Sequence, residues 1–120
     1  MKSDKINDLL TKKVGEITSL LGDIFEQYEA YGFRSSLMKD NNVCVVCNLK
    51  KHPVLNQLRI IAVPYGYFRV FFEIMDGDTG QVVVLKKLYL YRIELREQLI
   101  SELGKIGNDE NWKATFWKTN

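Results

Sequence analysis

Hydrophobic residues between positions 5 and 31 recur in alternating steps of four and three: Leu10, Val14, Ile17, Leu21, Ile24, Tyr28 and Tyr31 form one seam. Residues so spaced lie on neighbouring turns of a helix, on one side of it. Ile6, Leu20 and Phe25 widen the stripe beyond a two-stranded coiled-coil seam. That width predicts a long helix packed on a sheet, with a helix-mediated dimer as the alternative. Ser3 or Asp4 is placed to cap its start and Gly32 to close its end in a left-handed conformation. Gly15 and Gly22 lie seven apart, away from the seam. Each costs about 1 kcal/mol relative to alanine unless the pair marks a track for another backbone.

Beyond Gly32 the period changes to two. Residues 33–38 read as a short strand, turning at Lys39-Asp40-Asn41-Asn42 into a second at 43–49. Asparagine and aspartate suit that turn because they tolerate left-handed geometry. Lys50-Lys51-His52-Pro53 breaks the pattern as a solvent-facing loop, and a third strand follows at 58–63. Pro64-Tyr65-Gly66-Tyr67 and Asp76-Gly77-Asp78-Thr79-Gly80 are hairpin turns on either side of a fourth strand at 67–75. A fifth strand runs to Tyr91. Helical spacing returns over 92–106, with Leu95, Leu99, Leu103 and Ile106 in line, and alternation at 112–117 predicts a final edge strand. The expected fold is α+β: a long N-terminal helix, an antiparallel meander of four to five strands and a shorter C-terminal helix, as a single domain over residues 1–120.

Alternation then sorts the strand residues by face. Phe68, Val70, Phe72 and Ile74 share one side of the fourth strand, and Tyr67, Arg69, Phe71 and Glu73 the other. With an even register, Val82, Val84, Leu88 and Leu90 join the first set, while Lys87, Tyr89 and Tyr91 lie beside the second. Aromatic rings interleaved with cations on an open sheet are the chemistry of single-strand binding, because bases stack on rings and phosphates sit near charges. Ile60 and Ala62 are expected on that same outer face, making it apolar enough to need a cover. Helices on opposite faces would seal both sides; helices sharing one face would leave the other to a partner or a second copy.

Composition narrows the classes further. The chain has 120 residues, 46% apolar and 27% charged, which is ordinary for a folded domain. Seventeen basic against fifteen acidic residues give a net charge of +2, too small an excess to make phosphate binding the default. No basic leader precedes an apolar run, and no stretch of about eighteen apolar residues occurs, so the expected compartment is the cytoplasm with no membrane association. The two cysteines are then expected as reduced thiols.

Cys44-Val45-Val46-Cys47 followed by His52 resembles the first three ligands of a zinc knuckle, but Gln57 stands where a fourth ligand belongs. Structural zinc takes four ligands, and a valine-rich strand points Cys44 and Cys47 to opposite faces, so no metal site is assigned. Asp76, Asp78 and Gly80 lack the glutamate that completes a calcium loop. No phosphate-cradling glycine loop or nucleophile elbow appears. Neither catalytic residues, nor a cofactor, nor a small-molecule substrate is expected.

The order of several antiparallel strands followed by a helix is similar, in topology alone, to the Whirly-type single-strand-binding architecture. The expected function is that of a non-enzymatic macromolecular interaction protein: an adaptor, chaperone or inhibitor-like regulator, homodimeric, with a protein partner. The alternative is single-stranded nucleic-acid binding through Tyr67, Arg69, Phe71, Lys87, Tyr89 and Tyr91. Leu10, Val14, Ile17, Leu21, Ile24 and Tyr28 are the candidate dimer or helix-packing seam.

Overall fold

Five strands pair antiparallel in sequence order: β1 (Ala30–Leu37), β2 (Val43–Leu49), β3 (Gln57–Ala62), β4 (Tyr67–Met75) and β5 (Val82–Tyr91). Before them come helix α1 (Lys2–Leu20) and the short α2 (Gly22–Gln27); after them comes α3 (Leu95–Asn108), completing an α+β fold. This is a computed structural model describing residues 2–63 and 66–108, and the expected strand at 112–117 lies outside the described residues.

The N-terminal seam breaks once, at Leu21 (φ −117, ψ 18). Hydrogen bonds from Leu21 N to Ile17 O (3.0 Å) and from Phe25 N to Leu21 O (2.9 Å) carry the helical ladder across the break. α1 begins at Lys2, ahead of both expected caps. The helical run ends at Glu29 (φ 48), not at Gly32. Lys50 and Lys51 N–H groups donate to the Tyr28 carbonyl at 3.1 and 3.0 Å and satisfy a helix end that glycine was expected to close. Gly32 (φ 64) instead sits in a bulge of β1, where the register with β2 shifts between Tyr31 and Arg34. A Cβ added at Gly15 or Gly22 would meet nothing within 4 Å, so no backbone approaches either glycine among the described residues.

The turns follow their residue chemistry. Asp40 and Asn41 adopt φ of 60° and 62° between β1 and β2, and Gly66 and Gly80 take the positive φ that the two hairpins require. Asn56 extends the β3–β4 ladder with its side chain: Nδ2 donates to Met75 O and Oδ1 accepts from Met75 N, both at 2.7 Å.

The buried apolar residues of the helices meet one face of the sheet, while Ile6 and Ile100 stay exposed. Ile17, Leu21, Ile24 and Phe25 from the N-terminal helices and Leu95, Leu99, Leu103 and Ile106 from α3 form a single core with Val45, Cys47, Leu58, Ile60, Val70 and Phe72. The seam is thus covered by the chain's own sheet, with Leu10, Val14 and Tyr28 half-buried at its margin. Each fully buried leucine or isoleucine contributes about 1.5–3 kcal/mol of transfer free energy.

His52, expected in a solvated loop, is buried at 8% exposure. Its Nε2 lies 2.8 Å from the Leu103 carbonyl, and Nδ1 accepts from the N–H groups of Val54 (3.1 Å) and Leu55 (3.0 Å). Two donors on Nδ1 place the ring proton on Nε2, so the imidazole is neutral and donates to Leu103. It ties the β2–β3 loop to the end of α3, where a Cβ on Gly107 would lie 3.2 Å from Pro53 Cγ. The contact joins residues 51 apart in sequence, which local pattern does not reveal.

Burial holds the His52 pKa below its ordinary 6.5, with the Leu103 carbonyl a smaller opposing effect. The unfolded chain therefore takes up the proton first. Stability is full above about pH 6.5 and falls as the pH drops from there towards the folded-state pKa. Urea unfolding should give a lower midpoint at pH 5 than at pH 7.5. His52→Asn should cost about 1–3 kcal/mol at pH 7.5 and flatten that pH dependence.

Candidate functional site

The second face of the sheet is met by no described helix. Its side chains run in cross-strand rows fixed by the register. One row reads Arg34, Val46, Arg59, Phe71 and Lys87 from β1 to β5, and the next reads Ser36, Cys44, Ile61, Arg69 and Tyr89. Tyr67 faces Tyr91 beyond them, and on the other flank Asn48, Gln57, Glu73 and Val84 line up. The six residues singled out for nucleic-acid or partner binding thus stand as three directly opposed pairs: Tyr67 with Tyr91, Arg69 with Tyr89, and Phe71 with Lys87.

Two expectations about this face are corrected. Ile60 and Ala62 pair with Val70 and Phe68 and belong to the core, so Arg59 and Ile61 occupy the outer positions instead. Val82 and Val84 do not join the inner set. A bulge shifts the β4–β5 register between Phe72 and Glu73, so Lys86 is opposite Phe72 and Val84 is opposite Glu73. Lys86 consequently points to the helical side, where its ammonium pairs with Glu102 of α3.

Cations and rings interlock across the open face. The Arg59 guanidinium lies 4.9 Å from the centre of the Phe71 ring, and the Lys87 ammonium lies 5.6 Å from Phe71 and 5.3 Å from Tyr89. Arg69 sits 5.9 Å from the Tyr89 ring. All are within cation–π range. Lys87 beside the Tyr89 phenol, with Arg69 as the weaker contributor, draws its pKa below the ordinary value. Tyr89 and Tyr91 remain 58% and 65% exposed, and with Tyr67 and Leu90 they line a hollow of about 510 Å³.

Glu73, in the flanking row, is the carboxylate of these rows, and it is fully buried. Gln57 Nε2 donates to its Oε1 at 2.8 Å, and the Arg59 guanidinium pairs with the other oxygen. Arg34 donates from Nη1 to Asn48 Oδ1 at 3.1 Å and from Nη2 to Gln57 Oε1 at 3.5 Å. The network holds two guanidinium groups in place and neutralises one of them. Arg69 and Lys87 pair with no carboxylate among the described residues. The Nε–H groups of Arg59 and Arg69 are buried and find no acceptor among the described residues.

Ile61 and Cys44 are also buried, at 4% and 8% exposure, yet neither belongs to the core under the helices. Both point to the open side, Cys44 opposite Ile61 and Ile61 opposite Arg69. Arg34 and Arg59 were not among the residues singled out from sequence. The available signal was parity: Arg59 interrupts an apolar strand at the position that alternation turns outward.

The Cys-x2-Cys-x4-His spacing does not converge. Cys47 faces the core, Cys44 faces the open side, and both His52 ring nitrogens are engaged by backbone. Among the described residues no group of three His, Cys, Asp or Glu side chains is arranged to hold a metal ion. Burial pushes the Cys47 thiol up to about 12 and raises that of Cys44. No family model, curated protein or solved structure matches this chain.

Two measurements check this geometry. Neither thiol should react with an aromatic disulfide reagent at pH 8 in the folded protein, and both should react in denaturant. Glu73→Ala strands Gln57 and Arg59 around an empty acceptor site. Because Arg59 is partly solvated, the expected loss in urea unfolding is about 2–3 kcal/mol rather than the larger cost of a sealed ion pair.

Proposed function

We propose that this chain is a non-enzymatic binding protein whose working surface is the helix-free face of the sheet, and that its partner is a single-stranded nucleic acid. The observation that carries the proposal is the alternation of cations and rings on this face, which no described helix covers: Arg34, Arg59, Arg69 and Lys87 set among Phe71, Tyr89 and Tyr91. Arg34, Arg59 and Lys87 lie in one row on every second strand, roughly 9–10 Å apart from the strand spacing, which makes a track for a flexible phosphate backbone. The exposed tyrosines beside that track offer stacking surface that accepts any base.

Supporting the same reading, a single strand can lay its bases flat on exposed rings such as Tyr89 and Tyr91. The face also departs from the purely greasy surface expected for a protein partner, since Arg34, Arg59, Arg69 and Lys87 stand among its rings.

Fluorescence anisotropy with labelled single-stranded oligonucleotides should show binding at low salt. The logarithm of affinity should fall with the logarithm of salt concentration with a slope of about −2 to −3, as three or four phosphate contacts require. Tyr89→Ala should cost about 1–3 kcal/mol of affinity with the salt slope unchanged, whereas Arg69→Ala should flatten the slope. Absence of binding at 20 mM salt would sink the proposal.

A further inference from the structure

The two edges of the sheet are not alike. β5 carries a bulge, Lys87 on its open side and Lys86 turned to Glu102, devices that discourage another strand from docking. β1 carries a single charged side chain, Arg34, which is tethered to Asn48 and Gln57, and it exposes Tyr31, Phe33, Leu37 and the adjoining Met38 at 37–50%. Among the described residues no strand pairs with the outer side of β1, and an unguarded apolar edge is a template for another strand.

The backbone phase of that edge follows from one hydrogen bond. Met38 N donates to Asn42 O at 2.7 Å, and Leu37 pairs with Val43. Antiparallel pairing alternates hydrogen-bonded and non-bonded positions, so Ser36 and Arg34 turn their backbone groups inward to β2, while Ser35 and Leu37 turn theirs outward. Phe33 and Leu37 share the helical side of the strand with Ser35, as the edge-to-face contact of Phe33 with Phe25 at 5.3 Å shows for Phe33.

We propose that two copies of the chain pair β1 to β1 antiparallel about a twofold axis through Ser35, joining two five-stranded sheets into one. That register is self-complementary. Phe33 of each copy faces Leu37 of the other on the helical side, and each Arg34 faces Ser36 of the other on the open side, so no like charges are opposed. Leu37 is thereby brought against the groove of about 620 Å³ that Phe25, Ala30 and Phe33 line between α2 and β1. A twofold axis normal to the sheet keeps both helical layers on one side and joins the two cationic faces into one continuous surface. The proposal stands on the edge alone and is independent of what the open face binds.

Sedimentation equilibrium without nucleic acid tests it. The wild type should run at twice the 14.0 kDa of one chain at tens of micromolar, and Leu37→Lys, which places a charge on the edge without opening the core, should run as a folded monomer by circular dichroism. Ser35→Cys should form an intermolecular disulfide under mild oxidation, because directly opposed bonded residues have Cα atoms about 5.5 Å apart. Asp78→Cys at the β4–β5 turn should not. A monomeric wild type, or a dimer that Leu37→Lys leaves intact, overturns the proposal. Should Leu37→Lys fail to fold, the Ser35→Cys cross-link decides: its absence overturns the proposal.

Discussion

The parity of β4 is the constraint on which this structure rests. Successive side chains of a strand point to opposite faces, so one choice of phase sends Phe68, Val70 and Phe72 under the helices and Tyr67, Arg69, Phe71 and Glu73 to the other side. A slip by one residue would bury Arg69 in the helical core and expose Phe72, a cost no local contact could offset. β3 is locked to this phase through Ile60 opposite Val70 and Leu58 opposite Phe72, and β2 through Val45 opposite Ile60. The core and the cationic face are therefore two consequences of one register.

A sheet with helices on one side must still deal with its other side. Here the open face is neither left greasy nor made wholly polar. Ile61 and Cys44 are buried on it, and Glu73 is buried because Gln57 and Arg59 satisfy both of its oxygens. Such a layer is self-consistent, since the one carboxylate in its rows is paired and hydrogen-bonded where it is buried. The exposed ion pairs that link α3 and its preceding turn to the N-terminal helices, Arg92 with Glu16 and Arg96 with Asp23, add little by comparison, because solvent screens them.

Much of the strand layout was legible because it is written locally. The left-handed residues Asp40, Asn41, Gly66 and Gly80 are of the types that tolerate positive φ, and the alternation in β4 leaves a single sensible phase. What sequence concealed was non-local or irregular. Gly32 looked like a helix cap, yet Glu29 takes the left-handed turn, since Lys50 and Lys51 arrive from β2 to satisfy the last carbonyls. Parity of β3 was misassigned for want of the loop geometry between β3 and β4, which decides whether Ile60 or Ile61 faces the core. The bulge opposite Phe72 reversed Val82 and Val84 for the same reason. His52 reads as a loop residue until Leu103 supplies its acceptor from the far end of the chain. Of the candidate site, the β4 and β5 residues were legible, and Arg34 and Arg59 became visible only when the register set them in the same row.

Net charge illustrates why an average over the chain misleads about a surface. Of the chain's 17 cations and 15 carboxylates, the open-face rows hold Arg34, Arg59, Arg69 and Lys87 against Glu73 alone. Setting those aside leaves 13 cations against 14 carboxylates, so the rest of the molecule is close to neutral and slightly acidic. Glu73 is also spent on Arg59 beneath the surface, where solvent and ligand do not meet it. The open-face rows therefore carry an excess of positive charge that the nearly balanced composition of the chain does not reveal. Patterning at the level of strand rows, rather than total charge, shows where the charge is concentrated.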